Sequence, residues 1–186
     1  VVLEVIPPLT LVAIRFAISS VVLLGAMRLA HARWLARRDI LRVGAIGVVG
    51  FGISVVTQFI GTKLSSAANG ALVTSASPAF IVLFAWWLLG EAFSARKVIS
   101  LALAMLGVVI VTFGPTSGVS ASLWGNVALA VAAVTWGLYS VLVRAAVLKY
   151  PTLTVSAFAS IGGAVFTALL APLELLKNIG NIISYA

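Results

Sequence analysis

Hydroxyl, amide and aromatic side chains recur inside long apolar runs of this sequence, at spacings that place them on common helical faces. At 100° per residue, Ser66, Asn69, Gly70, Thr74 and Ser77 fall within one arc of about 140°, and Ser75 falls outside it. Thr135 and Tyr139 are four apart, as are Trp136 and Ser140, so a second run carries neighbouring polar and aromatic stripes. Buried hydroxyls beside aromatic rings suit the binding of an amphipathic solute. Asn69, Thr74, Ser77, Trp136 and Tyr139 are therefore the candidate substrate-binding residues, with Gln58, near the end of an earlier run, as a further member. The same pattern also serves helix–helix adhesion, because hydroxyls and Asn commonly bond across membrane helices. Both readings stay open at this point.

Bond-breaking chemistry has little equipment here. The acids are Glu4, Asp39, Glu91 and Glu174, all near the ends of apolar runs or between them, and His31 sits in a basic link. Intramembrane hydrolysis or metal chemistry needs paired acids, a Ser–His dyad or a His/Glu ligand set. Cysteine is absent, which excludes a disulfide framework, a thiolate metal site and a cysteine nucleophile. No catalytic residue, metal or other cofactor is expected. Glu91 follows Gly90 at the end of a run, where it can pair with Arg96 or Lys97 or cap the next helix. Arg15 alone among the basic residues lies well inside a run, at an insertion cost of ~2.5–3.5 kcal/mol at a helix centre. It either snorkels to the outer headgroups or lines a pathway.

The elements that must position these groups follow from composition. Of 186 residues 62% are hydrophobic and 9% charged, far from the balance of a water-soluble domain. The solvent must be lipid. Six apolar runs are long enough, or nearly so, to cross a bilayer: Leu9–Leu29, Val43–Gly61, Asn69–Leu89, Val98–Gly114, Leu123–Val143 and Thr152–Pro172. The fourth is the shortest and needs flanking residues or a thin membrane. The runs lack the alternation of barrel strands and are about twice as long. An all-α, polytopic transmembrane helix bundle is expected.

The net charge of +8 does not mark a nucleic-acid partner, because the basic residues sit between apolar runs. Arg28, Arg33, Arg37, Arg38, Arg42, Arg96, Lys97, Arg144 and Lys149 occupy alternate links; the opposite links and the tail hold only Lys63 and Lys177. The positive-inside rule puts the first group in the cytoplasm, with Lys63 and Ser117 outside. His31-Ala32-Arg33-Trp34-Leu35-Ala36-Arg37-Arg38 is basic and amphipathic and is expected to rest on anionic headgroups. Small residues form stripes at Gly44, Gly47 and Gly50 and at Ser156, Ser160 and Gly163, which lets helix backbones approach closely.

A shift of 144 residues lays Pro7, Leu9, Thr10 and Ala13 on Pro151, Leu153, Thr154 and Ala157. The two copies stand five helices apart and so have opposite orientations, as in many inverted-repeat transporters. The opening Val1-Val2-Leu3-Glu4 and the closing Ile183-Ser184-Tyr185-Ala186 both read as cut ends, so a fragment of a ten-helix protein is expected.

Several landmarks resemble the EamA-like family of the drug/metabolite transporter superfamily. They are Pro7-Pro8 with Arg15-Phe16; Gln58 through Ala71; Pro78-Ala79-Phe80 through Leu88-Leu89-Gly90-Glu91, then Ser94 and Lys97; Gly107 through Val111; and Trp136-Gly137-Leu138-Tyr139-Ser140 with Arg144. The resemblance covers nearly the whole chain, as helices two to seven of ten. It implies a five-plus-five inverted-repeat carrier or exporter of small organic solutes such as amino acids, metabolites or drugs. Residues 1–115 would then be a first repeat lacking its first helix, and 116–186 the first two helices of a truncated second. The implied partners are a small-molecule substrate and the lipid bilayer, without nucleic acid; a homodimer is compatible, and the location is the cell (inner) membrane. A non-transporting scaffold or assembly subunit is the alternative, ahead of an intramembrane enzyme.

Overall fold

The computed structural model describes residues 8–92, 94–113 and 122–184, and all regular structure among them is helical. Helix α1 spans Pro8–Leu29. Helix α2, Arg37–Gly47, passes through a π-helical segment, Val48–Ser54, into α3, Val55–Leu64. There follow α4 (Ala67–Thr74), α5 (Ser77–Leu89), α6 (Ala95–Phe113), α7 (Leu123–Val147) and α8 (Thr152–Ser184). Among the described residues five stretches are long and apolar enough to cross a membrane: Leu9–Leu29, Arg37–Leu64, Ala67–Leu89, Leu123–Val147 and Thr152–Pro172. Each matches an expected run. The remaining one, Val98–Gly114, falls on α6, with Gly114 and the nearby Ser117 outside the described residues.

Local chemistry explains where these helices bend and stop. Pro78 has no N–H to give the carbonyl four residues back. The carbonyl of Thr74 instead accepts from the Ser77 hydroxyl at 2.5 Å, and the run splits at Ser75–Ala76 into α4 and α5. Ser66 caps α4 by accepting from the Asn69 N–H at 3.1 Å, satisfying a donor that a helix start leaves open. Gly90, at φ 66°, closes α5 in the left-handed conformation that glycine adopts without penalty.

The chain forms two compact units, one from residues up to Gly52 together with those from Ala146 onward, the other Ile53–Ala145. In the first, α1 and α8 run antiparallel. Ser20 Oγ meets Ser160 Oγ at 3.0 Å, near the middle of α1 and in the first third of α8. The Leu9 N–H at the start of α1 donates to Glu174 Oε2, further along α8, at 2.8 Å. That carboxylate serves a helix N-terminus, where negative charge is favoured. The glycine stripes meet in the same unit. A Cβ on Gly47 would run into the backbone carbonyl of Ala159, one on Gly162 into that of Gly44, and one on Gly163 into the Phe51 side chain. Lipid tails give helices no hydrophobic reason to associate, so such close backbone contact is what holds them.

In the second unit α3, α4, α5 and α7 interlock. Gly61 faces Leu129, and a Cβ on Gly137 would stand 2.6 Å from the Phe80 Cβ. Ala76, Phe80 and Ala133 form a buried apolar cluster flanked by Phe84 and Val134. The buried Ser54 hydroxyl donates to the Ala132 carbonyl of α7 at 2.9 Å. An interhelical bond of this kind is worth about 0.6–2 kcal/mol in lipid.

Candidate functional site

All six candidate binding residues lie in the second unit, on α3, α4, α5 and α7. The break between α4 and α5 concentrates hydroxyls. Thr74 Oγ1 donates to the Gly70 carbonyl at 2.6 Å, Ser75 Oγ to Leu72 at 2.6 Å, and Ser77 Oγ to Thr74. Back-bonding of this type satisfies the hydroxyl proton locally and leaves the oxygen as an acceptor. Ser77 is buried and Thr74 half-buried, whereas Ser75, outside the expected polar arc, is exposed.

Helix α7 contributes the aromatic part. Trp136 and Tyr139 hold their ring centroids 5.2 Å apart at an interplanar angle of 37°. Such a tilted pair presents apolar area together with two polar groups, the Tyr139 hydroxyl and the Trp136 indole N–H. Tyr139 is buried and Trp136 is exposed. The hydroxyls of Thr135 and Ser140 back-bond to Val131 and Trp136 at 2.7 and 2.8 Å. Helices α5 and α7 touch at Phe80 and Gly137, which puts the start of α5 alongside the Trp136–Tyr139 stretch.

Asn69 sits elsewhere. Its Nδ2 donates to Ser65 Oγ at 3.0 Å, and Ser65 Oγ donates to the buried Asn126 Oδ1 at 2.8 Å. Between Asn126 and Tyr139 an α-helix rises about 20 Å at 1.5 Å per residue. Asn69 and Tyr139 therefore mark two levels of the unit, and Gln58 is exposed on α3. The candidates thus sit at more than one level of the unit, with Thr74 and Ser77 flanking the α4–α5 break.

The charged residues sort differently. Glu91 pairs with Lys97 at 3.7 Å, as expected, but its shorter contact is with Arg144 on α7 at 2.6 Å, and among the described residues Arg96 makes no ion pair. Asp39, 5% exposed, accepts from Tyr150 Oη at 2.6 Å and from Lys149 Nζ at 2.6 Å. The Asp39 carboxylate holds the Lys149 ammonium above the ordinary lysine range. Tyr150 Oη also accepts from the Ala36 N–H at 3.3 Å. Sequence reasoning missed this cluster, because its partners stand more than a hundred residues apart and no local spacing signals it. Arg15 is exposed on α1, with no carboxylate in pairing range among the described residues.

A polytopic helical bundle with close glycine crossings, and with its charged residues other than Arg15 toward the helix ends and links, is the architecture of a multi-pass membrane protein. The chain belongs to the EamA-like transporter family, whose model matches residues 1–113. It is similar to two uncharacterized transporters of Archaeoglobus fulgidus. One is 25% identical over 192 residues, covering 98% of this chain and 63% of the relative. The other is 26% identical over 160 residues, covering 85% and 55%. The uncharacterized transporter YetK of Bacillus subtilis is 24% identical over 168 residues, covering 88% and 51%. The chain thus spans between half and two-thirds of the length of these relatives. No solved structure matches it.

Proposed function

We propose that the complete protein is a secondary carrier or exporter of small organic solutes in the cell (inner) membrane, and that the α4–α5 break and the aromatic pair of α7 form part of its binding site. The observation that carries this reading is the mid-run break itself. Thr74 and Ser77 turn hydroxyl oxygens into a stretch where Pro78 interrupts the backbone ladder, and α7 sets Trp136 and Tyr139 alongside. Irregular backbone at membrane depth is tolerated where it faces protein or a water-filled path, and carriers use it to hold solutes. Asn69 and Gln58 would then line the approach to this level. The antiparallel pairing of α1 with α8 supports a division into inverted repeats, residues 1–115 and 116–186, since the copies related by 144 residues start at Pro8 and Thr152. No step in this reading uses a catalytic residue or a cofactor. A homodimer is compatible with it.

Reconstituting the full-length protein in liposomes and measuring uptake of a panel of amino acids, organic cations and aromatic metabolites tests the proposal. Flux of at least one solute above protein-free liposomes is expected. A protein that reconstitutes in folded form and moves none of them supports the scaffold reading instead.

A further inference from the structure

The cytoplasmic-side cations differ in how they are neutralised. Arg144 and Lys97 are paired to Glu91, and Lys149 to Asp39. In the last turn of α1, in the strap that joins it to α2 and in the first turn of α2, Arg28, Arg33, Arg37 and Arg38 pair with no carboxylate among the described residues. All four are exposed. The one acid nearby, Asp39, is turned inward to Lys149 and Tyr150 and touches Arg42 only at 3.9 Å. Four exposed guanidinium groups thus gather in the first unit without a carboxylate in salt-bridge range among the described residues.

This strap is built rather than loose. His31 takes a left-handed turn at φ 47°, and Leu35 is buried. Thr154 donates its hydroxyl to the Arg33 carbonyl at 2.9 Å, and Tyr150 accepts from the Ala36 N–H. Trp34 packs edge-on against Phe158 at 6.0 Å, with the Arg28 guanidinium 5.8 Å from its ring centre. Large apolar side chains stand among the cations: Leu29 is 84% exposed, Trp34 50% and Leu41 82%. Exposed apolar side chains interleaved with cations fit the headgroup boundary, where charged and apolar groups of one surface are both accommodated. The strap lies between the ends of two membrane runs, at the depth where headgroups meet acyl chains.

We infer that this strap is a binding site for an anionic phospholipid of the cytoplasmic leaflet. The phosphate is held by Arg33, Arg37 and Arg38, and the upper acyl chain lies against Trp34 and Leu41. Guanidinium groups bind phosphate with paired donors, which makes arginine better suited than lysine to the task. Charge attraction to such a leaflet falls off within a Debye length, so binding weakens as salt rises.

The test is native mass spectrometry of the full-length protein in neutral detergent, titrated with phosphatidylglycerol or phosphatidylcholine. Phosphatidylglycerol adducts should persist where phosphatidylcholine adducts do not. They should weaken when the protein is exchanged from low to high salt before measurement. The R33Q/R37Q/R38Q variant should bind phosphatidylglycerol about a hundredfold more weakly, R33K/R37K/R38K should recover part of that loss, and R96Q should match the parent. Equal retention of both lipids, or salt-independent retention by the parent protein, overturns the inference even if the triple variant fails to fold. Displacement of the lipid by millimolar inorganic phosphate would show a free-anion site and also overturn it.

Discussion

Tyr150 donates its phenolic proton to the carboxylate of Asp39 across 2.6 Å, joining the link just before α8 to the first turn of α2. Both residues are buried, and the same oxygen of Asp39 accepts from Lys149. Hydrogen bonds to a charged group contribute about 1.5–3 kcal/mol. Y150F removes this bond and leaves the Ala36 N–H without its acceptor, so it should destabilise the protein by about that amount. Denaturation of the detergent-solubilised full-length protein, compared between parent and Y150F, measures the loss.

Lys149 answers a separate question about pH. Its ammonium is held above the ordinary lysine range by Asp39. A raised pKa gives stability that is complete below the unfolded value, about 10.4, and is lost as pH climbs through the folded value. K149M should therefore lower the melting temperature equally at pH 7 and pH 9. A penalty that shrinks between those values would show that Lys149 has already lost its proton.

Gly47 and Gly25 make a matched pair. A methyl on Gly47 would strike the Ala159 carbonyl, which belongs to helix backbone and cannot swing aside, whereas Gly25 has open space around its position. G47A should cost at least 2 kcal/mol, in the range of overpacked cores. G25A should be neutral or stabilising by up to ~1 kcal/mol through helix propensity. Yield and melting temperature of the two variants give the comparison.

The helical class and the positions of the membrane runs were legible because periodicity and length act locally. Pro78 cannot donate to the Thr74 carbonyl, a local effect of residue type, and the structure shows the Ser77 hydroxyl bonded to that carbonyl instead. The arc containing Ser66 and Asn69 proved to include a capping pair, with Asn69 reaching toward Asn126 rather than toward the aromatic pair. A helical wheel gives angular position only, so two residues on one face can serve neighbours about 20 Å apart along the axis. Glu91 was placed correctly at a helix end, but its closest partner, Arg144, is visible only once α5 and α7 are side by side.

Topology follows from the same charge pattern. An impermeant thiol reagent added to intact cells should label a cysteine introduced at Lys63 and leave one at Arg37 unmodified. Both positions are exposed, so access to the reagent alone separates them. The reverse pattern would invert the molecule.

The central claim is that hydroxyl and aromatic groups at the α4–α5 break and on α7 bind a transported solute. Transport per folded molecule of the full-length protein, measured in liposomes for the parent, S77L and Y139L, tests it most directly. The account predicts that both variants reach the membrane at parental levels and lose at least tenfold in flux. If these residues only hold helices together, the amount of folded protein will fall while each remaining molecule transports at the parental rate, and that result would contradict the site.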